Sequence, residues 1–204
     1  IIGHKGYGKT VLTEKLAVLT NKPTIILDPR FQYEENIRRI AFTSVSKFKK
    51  WITKKDNYKL FIKYKLELVV SAIDIEDAEE LAEIVYQLKN ITFVIDEVDM
   101  FFDTRTTKKS YFNKLVQYGR HNLIDIISTS RRPANISRNL TALTDIFYFS
   151  RLREPNDKQY IKALLGSDQV EQIAELEKFS FLRVEDEKKE VIKTTKEDLK
   201  ILQT

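Results

Sequence analysis

The sequence predicts an α/β fold in which a mostly parallel sheet is the middle layer of a three-layer sandwich. Three observations support this prediction. A glycine-rich loop near the start is followed by a helical pattern, short apolar segments alternate with helical patterns along the 204 residues, and one apolar segment ends in two adjacent carboxylates. Strands that alternate with helices are typical of parallel sheets covered on both faces.

Composition limits the class of protein. With 42% hydrophobic and 32% charged residues, the chain fits one globular domain, which we place over residues 1–204. No apolar run approaches the roughly 18–20 residues needed to span a membrane, so we expect no transmembrane segment. The chain has no cysteine, which excludes disulfides and is typical of an intracellular protein. The net charge of +5 agrees with a nucleic-acid partner but does not establish one.

Residues 3–10, Gly-His-Lys-Gly-Tyr-Gly-Lys-Thr, match the Walker A pattern G-x-x-x-x-G-K-[ST] of a phosphate-binding P-loop. The glycines let successive N–H groups turn toward phosphate oxygens, and the following helix adds the positive end of its dipole. Lys9 would reach the β- and γ-phosphates, and Thr10 would give its hydroxyl to Mg²⁺. The cofactors implied are therefore ATP and Mg²⁺, and the alternative is a glycine-rich turn before an ordinary helix. The predicted nucleotide-binding residues are Gly3, His4, Lys5, Gly6, Tyr7, Gly8, Lys9, Thr10 and Val11.

The remaining elements follow from local patterns. Ile1-Ile2 reads as the end of the strand before the P-loop, a strand whose start we expect to be missing. Leucines at helical spacing predict a helix over residues 11–19, and an apolar run after Pro23 predicts a strand over 24–27. Further helices are expected over residues 45–52, 77–88, 111–118 and 155–166. Further strands are expected over residues 60–64, 91–95, 125–129 and 146–149, with a C-terminal β-hairpin formed by 179–184 and 191–194.

The apolar strand over residues 91–95 ends in Asp96-Glu97, a second motif. A buried strand would deliver Asp96 to the nucleotide, where it could hold Mg²⁺, and Glu97 could act as general base on the attacking water. The alternative is a strand followed by two solvated acids. The adjacent glutamate is typical of the additional-strand catalytic-glutamate (ASCE) division of P-loop NTPases. In that division one more strand, here residues 125–130, lies between the P-loop strand and the Asp-Glu strand, and its polar end senses the γ-phosphate.

Three segments together resemble the FtsK–HerA superfamily of DNA-pumping ATPases, over residues 1 to about 165. They are Ile-Leu-Asp-Pro at 26–29, Val-Ile-Asp-Glu at 94–97, and the block from Tyr-Gly-Arg-His at 118–121 to Arg-Arg-Pro at 131–133. Within this superfamily the chain is most similar to the genome-packaging ATPases of membrane-containing icosahedral viruses. Ser130 stands where the family usually has a glutamine sensor. Because serine is shorter, Thr129 or Arg131 could share that role.

The resemblance implies a homo-oligomeric ring, a hexamer or a pentamer, in which an arginine of one subunit completes the neighbour's site. Such an arginine can raise the rate by roughly 10³–10⁵. Arg120 matches the family position best, with Arg131 and Arg132 as alternatives, and the plain reading is that Arg120 pairs with a nearby carboxylate. The predicted catalytic residues are Lys9, Glu97, Arg120, Ser130 and Arg131.

Double-stranded DNA, bound without regard to sequence, is the expected partner. The polar loop at 103–110 follows the Asp-Glu strand, and its Arg105, Lys108 and Lys109 could grip phosphates in a ring pore. The alternative is a flexible, solvated loop. Residues 47–55 form a second basic patch, in which we interpret Phe48 and Trp51 as core anchors rather than base-stacking groups.

The leading hypothesis is therefore an ATPase that converts ATP and water to ADP and phosphate and translocates duplex DNA into a viral capsid. It would work in the host cytoplasm or with the virion, with a capsid-vertex or membrane protein as a further partner. A HerA-like or plasmid-transfer pump is one alternative, and a P-loop switch or assembly protein that moves no DNA is another. The Asp-Glu pair and the sensor strand argue against a small-molecule kinase.

Overall fold

A computed structural model of the chain describes residues 1–33, 37–72, 74–102 and 110–195. The helices are α1 (Lys9–Leu19), α2 (Val45–Ile52), α3 (Lys55–Tyr64), α4 (Ile75–Gln87), α5 (Tyr111–Tyr118), α6 (Arg138–Ala142), α7 (Pro155–Leu165) and α8 (Ser167–Glu175). The strands are β1 (Thr24–Leu27), β2 (Arg39–Phe42), β3 (Glu67–Val70), β4 (Thr92–Ile95), β5 (Asp125–Ser128), β6 (Ile146–Phe149), β7 (Ser180–Glu185) and β8 (Lys188–Lys193).

Side-chain caps fix the starts of three helices. Ser44, Asp74 and Ser110 precede α2, α4 and α5, and each accepts a hydrogen bond from a backbone N–H in the first turn, at 3.3, 2.8 and 3.2 Å. Such caps satisfy amide groups that have no partner inside the helix. Within the described ranges, no helix is both long enough and apolar enough to cross a membrane.

Two sheets make up the β structure. The larger has five parallel strands in the order β2-β3-β1-β4-β5, and the smaller has three antiparallel strands in the order β6-β7-β8. The predicted mostly parallel sheet and C-terminal hairpin are therefore confirmed.

Ile2 joins the two sheets. It forms parallel bridges to Ser130, just past β5, and to Phe149 in β6. On the β5 side the Gly3 N–H donates to the Ser130 carbonyl at 3.0 Å, and on the β6 side the Ile2 N–H donates to the Tyr148 carbonyl at 2.7 Å. The residue before the P-loop thus lies between β5 and β6. Since β5 separates it from β4, the predicted additional-strand order is confirmed.

Alternate residues of the central strands pack on opposite faces of the large sheet. Ile25 and Leu27 of β1 join the main core, which includes residues of α2, α4 and α5. Ile26 faces the other way and packs in a cluster with Ala17 of α1. Because strand side chains alternate between the two faces, helices cover both sides of the sheet and the predicted three-layer sandwich is confirmed.

The largest local error of the sequence prediction concerns residues 60–64, which were expected to form a strand. They are the second half of α3, and Lys65 ends that helix with a left-handed φ of 47°. A short apolar run fits a strand or a buried helix segment equally well. In the structure only Phe61 of this run is buried, and the nearest strand, β3, begins at Glu67. The prediction also missed β2, α6 and α8. Phe48 is fully buried, as expected of a core anchor, and Trp51 packs half-buried against the same core.

Candidate active site

The carboxyl ends of three neighbouring strands bring three polar side chains into one row. Leu27, Ile95 and Ser128 are paired across β1, β4 and β5, so the next residues along each strand, Asp28, Asp96 and Thr129, lie side by side. Backbone hydrogen bonds hold this row, since the Asp96 N–H donates to Leu27 and the Thr129 N–H donates to Ile95, at 3.1 and 3.0 Å. In open parallel sheets, this edge is where ligands bind.

Asp28 shapes the loop that follows β1. Its buried carboxylate accepts hydrogen bonds from the backbone N–H groups of Arg30, Gln32 and Tyr33, at 3.1, 2.6 and 3.0 Å. An aspartate that accepts several local N–H bonds fixes a turn. The consequence is that the loop carries the side chains of Arg30 and Gln32 toward Asp96, whose Oδ2 lies 3.5 Å from the Gln32 Nε2.

Thr129 orders the two carboxylates of the Asp-Glu motif. Its hydroxyl donates to Asp96 Oδ1 at 2.6 Å and accepts from the backbone N–H of Glu97 at 3.0 Å. Burial raises the pKa of Asp96 above its usual value, and the hydrogen bond from Thr129 opposes that shift. One buried side chain therefore both stabilises the ionised form of Asp96 and fixes the backbone of Glu97.

The Glu97 carboxylate is held by arginine. Arg131 Nε lies 2.6 Å from Glu97 Oε1, and Arg30 Nε lies 3.9 Å from the same oxygen. The side chain of Glu97 is only 5% exposed, and burial raises its pKa above the usual range, whereas the charge of Arg131 lowers it. Glu97 also has a left-handed φ of 50°, which is uncommon for a residue with a side chain and costs some backbone energy.

The P-loop presents Lys9 next to these carboxylates. The Lys9 ammonium is buried and donates to the carbonyls of Gly3, at 2.8 Å, and His4, at 3.5 Å. Burial lowers the pKa of Lys9, and the charge of Glu97 opposes this shift. Gly8 needs to be glycine for two reasons, because its φ is 91° and because a Cβ there would lie 2.5 Å from the Phe179 ring.

One cavity of about 740 Å³ contains these groups. The residues that line it are Lys5, Gly6, Gly8, Lys9, Thr10, Val11, Arg30, Gln32, Asp96, Glu97, Arg131 and Phe179. Its size is within the range of sites for small organic ligands. The P-loop amides, the start of α1 and the cations could hold phosphates. Thr10 and Asp96 are the two oxygen ligands that could hold Mg²⁺, an ion that usually takes one or two protein ligands and fills its remaining positions with water and phosphate.

Comparisons with known proteins agree with this architecture. No family model and no curated protein matches the sequence. Among solved structures, the genome-packaging NTPase B204 of Sulfolobus turreted icosahedral virus 2, in complex with AMPPCP, matches with a TM-score of 0.74 and 18% identity over 95% of each chain. B204 from Sulfolobus turreted icosahedral virus, described as a DNA-packaging ATPase, gives a TM-score of 0.69 at 17% identity over 95% of each chain.

VirB4 of Thermoanaerobacter pseudethanolicus also matches, with a TM-score of 0.67 at 11% identity, covering 97% of this chain and 89% of the other. The chain shares the fold of these proteins, which are FtsK–HerA superfamily ATPases. The resemblance predicted from the motifs is thus confirmed at the level of the fold. At sequence identities this low, the likeness concerns the path of the backbone and not the roles of individual residues.

Within this fold, the predicted site residues are only partly brought together. The cavity contains Lys5, Gly6, Gly8, Lys9, Thr10, Val11, Asp96, Glu97 and Arg131. Gly3, His4 and Tyr7 do not line the cavity. Gly3 and His4 contribute carbonyls to Lys9, and the buried Tyr7 ring packs edge-on against His4 at 5.9 Å.

Ser130, the predicted sensor, is not among the lining residues. It is fully buried, its hydroxyl donates to Asp99 Oδ1 at 2.6 Å, and it accepts from the Arg132 N–H at 2.9 Å. The two alternatives considered from the sequence reach the site instead, because Arg131 contacts Glu97 and Thr129 contacts Asp96.

Arg120 lies away from the cavity of its own chain. It is exposed in the turn Gly119–Asn122, which precedes the amino end of β5, whereas the cavity lies at the carboxyl ends of the strands. Any role at a P-loop would therefore be at the P-loop of another subunit. Arg105, Lys108 and Lys109, the predicted DNA contacts, lie outside the described residues.

Sequence analysis missed three residues that line the cavity, Arg30, Gln32 and Phe179, and the role of Asp28, which shapes the loop that carries two of them. Asp28 was noticed as part of a family segment but received no role. An aspartate followed by proline at the end of an apolar strand is a turn signal, and it could have placed Arg30 and Gln32 at the site. No local signal points to Phe179, since it is distant in sequence from every other lining residue.

Proposed function

We propose that the protein is a Mg²⁺-dependent ATPase that converts ATP and water to ADP and phosphate. The observation that carries this proposal is the convergence of Lys9, Thr10, Asp96 and Glu97 on one cavity of about 740 Å³. The fold shared with B204, whose structure holds AMPPCP, supports it. In this proposal Lys9 and the P-loop amides bind the phosphates, Thr10 and Asp96 hold the ion, and Glu97 accepts a proton from water.

Arg131 has two partners in this proposal. In the structure it is paired with Glu97, and a carboxylate bound to a guanidinium is a poor base. A γ-phosphate in the cavity offers Arg131 a more highly charged partner within the same space. We infer that Arg131 exchanges Glu97 for the γ-phosphate when ATP binds, which frees the base at the moment when its substrate is present.

We further propose that the protein moves duplex DNA, as a genome-packaging motor does. The charge distribution supports a polyanionic partner. The α2–α3 segment, residues 43–66, has eight lysines and one aspartate and therefore a net charge of +7. Because the whole chain has a net charge of +5, the residues outside this segment have a net charge of −2. Its lysines are Lys47, Lys49, Lys50, Lys54, Lys55, Lys59, Lys63 and Lys65.

Seven of these eight lysines are exposed, and most have no acidic partner among the described residues. Lys49 pairs with Glu80 at 2.5 Å, and Lys59 lies 3.9 Å from the exposed Asp56. A cationic surface of this kind suits phosphates bound without sequence readout. The loop at 103–110 remains a second proposed contact. Lys108→Ala combined with Lys109→Ala should flatten the salt dependence of DNA binding and abolish DNA-stimulated hydrolysis, while basal ATPase survives.

Ring assembly is part of the same proposal. We propose a hexamer or pentamer in which Arg120 reaches the neighbouring P-loop, because its own cavity is at the opposite edge of the sheet. Arg120→Ala should bind ATP nearly normally and lose turnover. Mixing it with Lys9→Ala subunits should restore part of the activity, since some interfaces then combine an intact P-loop with an intact arginine. Mixed rings with no recovered activity would contradict the trans role.

A switch or assembly protein is the second candidate, and the Arg131–Glu97 contact is the observation that favours it, since a paired base implies slow hydrolysis. Phosphate release measured with and without duplex DNA separates the two. A motor should be stimulated by DNA and should show DNA affinity at low salt in its oligomeric form. Nucleotide binding with slow hydrolysis and no response to DNA would establish the switch and contradict the motor. A HerA-like pump would behave as the packaging motor does in this assay.

A further inference from the structure

The lining of the cavity divides into two chemical groups. The first group is charged: Asp96 accepts a hydrogen bond from Thr129, and Glu97 is paired with Arg131. These side chains suit the binding of phosphate and metal ions. The side chains of Val11 and Phe179 are apolar and form no hydrogen bond with a phosphate. An ATP molecule has the same division, since a planar, weakly polar base is attached to a highly charged triphosphate.

Phe179 is held in place by the P-loop and the C-terminal hairpin together. It precedes β7, and its backbone N–H donates to the Tyr7 carbonyl at 3.3 Å while its own carbonyl accepts from Thr194 at 2.9 Å. The edge of its ring lies against Gly8, where a Cβ would be 2.5, 3.1 and 3.4 Å from three ring carbons. The ring therefore rests on the loop that would carry the phosphates.

Core packing does not explain this residue. Phe179 is half-buried and is absent from the three apolar clusters formed by the described residues, whereas the neighbouring Phe181 is fully buried in one of them. Its φ of 62° is unfavourable for a bulky side chain, a cost that surrounding structure must offset. Strained residues of this kind cluster at ligand sites.

We propose that Phe179 forms a nucleobase subsite, on which the base of the bound nucleotide stacks. This proposal rests on the proposed ATPase function and specifies how the cavity orients its substrate, with the triphosphate at the P-loop and the base at the hairpin. Stacking on an aromatic face stabilises a bound base by about 1–3 kcal/mol, which corresponds to roughly 5- to 150-fold in affinity, and depends little on base identity. GTP should therefore bind about as tightly as ATP.

The experiment compares ATP with inorganic triphosphate, which has the phosphates but no base. Calorimetry on the full-length protein should show that Phe179→Leu weakens ATP at least fivefold, while triphosphate binds as it does to the unaltered protein. Leucine keeps an apolar side chain against Gly8 but has no aromatic face, and Phe179→Tyr should retain ATP affinity. Phe147→Leu, which alters a half-buried ring of the same small sheet away from the cavity, is the matched control for fold stability.

Three outcomes are informative. Equal loss of ATP and triphosphate affinity would show that Phe179 only supports the P-loop, and unchanged ATP affinity would show that the base binds elsewhere; either result overturns the proposal. Failure of the unaltered protein to bind either ligand would instead contradict the proposed ATPase function, and the subsite with it.

A spectroscopic measurement makes the test independent of affinity. Trp51 is the only tryptophan, so Phe179→Trp in a Trp51→Phe background places one indole at the proposed subsite. Its emission should change when ATP is added and stay constant with triphosphate. The same response to both ligands would overturn the proposal, because it would report closure of the P-loop and not stacking.

Discussion

The cavity and the α2–α3 segment use charge in opposite ways. In the cavity, Lys9, Asp96 and Glu97 are buried, and each has a defined partner at hydrogen-bond or ion-pair distance. On the α2–α3 segment, Lys54 and Lys55 are exposed and make no ion pair with any residue that the structure describes. A buried charge interacts strongly with its partner and only in one geometry. An exposed charge contributes little interaction energy alone, and its effect adds to that of neighbouring charges. We therefore expect single substitutions to decide function in the cavity and only combined substitutions to matter on the segment.

The largest effect should come from Glu97. Glu97→Gln keeps the shape of the side chain and removes its ability to accept a proton, so turnover should fall by about 10²–10⁴ while ATP still binds. Phosphate release and equilibrium binding measure the two quantities. Glu187→Gln, at an exposed position in the β7–β8 turn, is the control and should hydrolyse ATP normally. Turnover of Glu97→Gln at the unaltered rate would show that Glu97 is not the base.

Lys9 and Lys5 compare a buried and an exposed lysine of one loop. Lys9→Ala removes a buried cation that the phosphates need and should weaken ATP binding by about 10- to 100-fold, the range for a hydrogen bond to a charged group. Lys5 also lines the cavity but is exposed, so Lys5→Ala should weaken binding only a few-fold. Equal losses measured by calorimetry would contradict the distinction between buried and exposed charge.

Thr129 should show that the cavity depends on geometry as well as on charge. Thr129→Val removes the hydrogen bonds to Asp96 and from Glu97 without changing net charge, so turnover should fall by about tenfold or more. Thr129→Ser keeps the hydroxyl and should retain most of the activity. If the valine and serine variants behave alike, the hydroxyl has no role beyond filling space.

The pairing of Arg131 with Glu97 predicts a pH effect. A base works when deprotonated, so activity is present above the pKa of Glu97 and is lost as the pH falls through it. Burial raises that pKa and Arg131 lowers it. Arg131→Gln should therefore move the acid limb of the pH profile of kcat/KM, which reports the free enzyme, to higher pH, whereas Arg131→Lys keeps the charge and should move it less. An acid limb that stays in place in Arg131→Gln would show that Glu97 does not titrate there.

The smallest effect per residue should be on the α2–α3 segment. The slope of log affinity against log salt is negative, and each lysine that neutralises a DNA phosphate makes it steeper by about 0.9. Lys54→Ala combined with Lys55→Ala should make that slope shallower by up to about 1.8 and leave basal ATPase unchanged. Lys188→Ala with Lys189→Ala removes the same charge from the exposed end of the β8 strand and is the matched control. Equal slopes in the two double variants would place the DNA elsewhere.

The part of the site that sequence could predict is the part built from adjacent residues. The P-loop and Asp96-Glu97 are each contiguous, and their roles follow from spacing along one loop or one strand. The Arg131–Glu97 and Phe179–Gly8 contacts join residues far apart in the chain, so they depend on strand order and on the position of the hairpin. For Ser130, strand order was predicted correctly, but a buried hydrogen bond to Asp99 keeps the side chain away from the cavity.

The same contrast applies to the fold. Strands β1, β4 and β6 were predicted almost to the residue because each is a short apolar run with a clear end. Residues 60–64, Leu-Phe-Ile-Lys-Tyr, were misassigned because a short apolar run suits a helix segment as well as a strand. Burial would have decided between the two, and burial is a tertiary property.

The position of Ile2 has a mechanical consequence. Its own N–H and carbonyl are hydrogen-bonded to the hairpin sheet, at Tyr148 and Ser150, while the flanking Ile1 carbonyl and Gly3 N–H are bonded to Ser130 at the end of β5. The P-loop begins at the next residue, Gly3. A side chain at Gly3 would overlap with the Ser150 side chain, just past β6, so this close approach of the two segments requires glycine. We therefore expect a displacement of the hairpin sheet to be transmitted to the phosphate-binding loop through these hydrogen bonds, and movement of the loop to be transmitted back to the sheet.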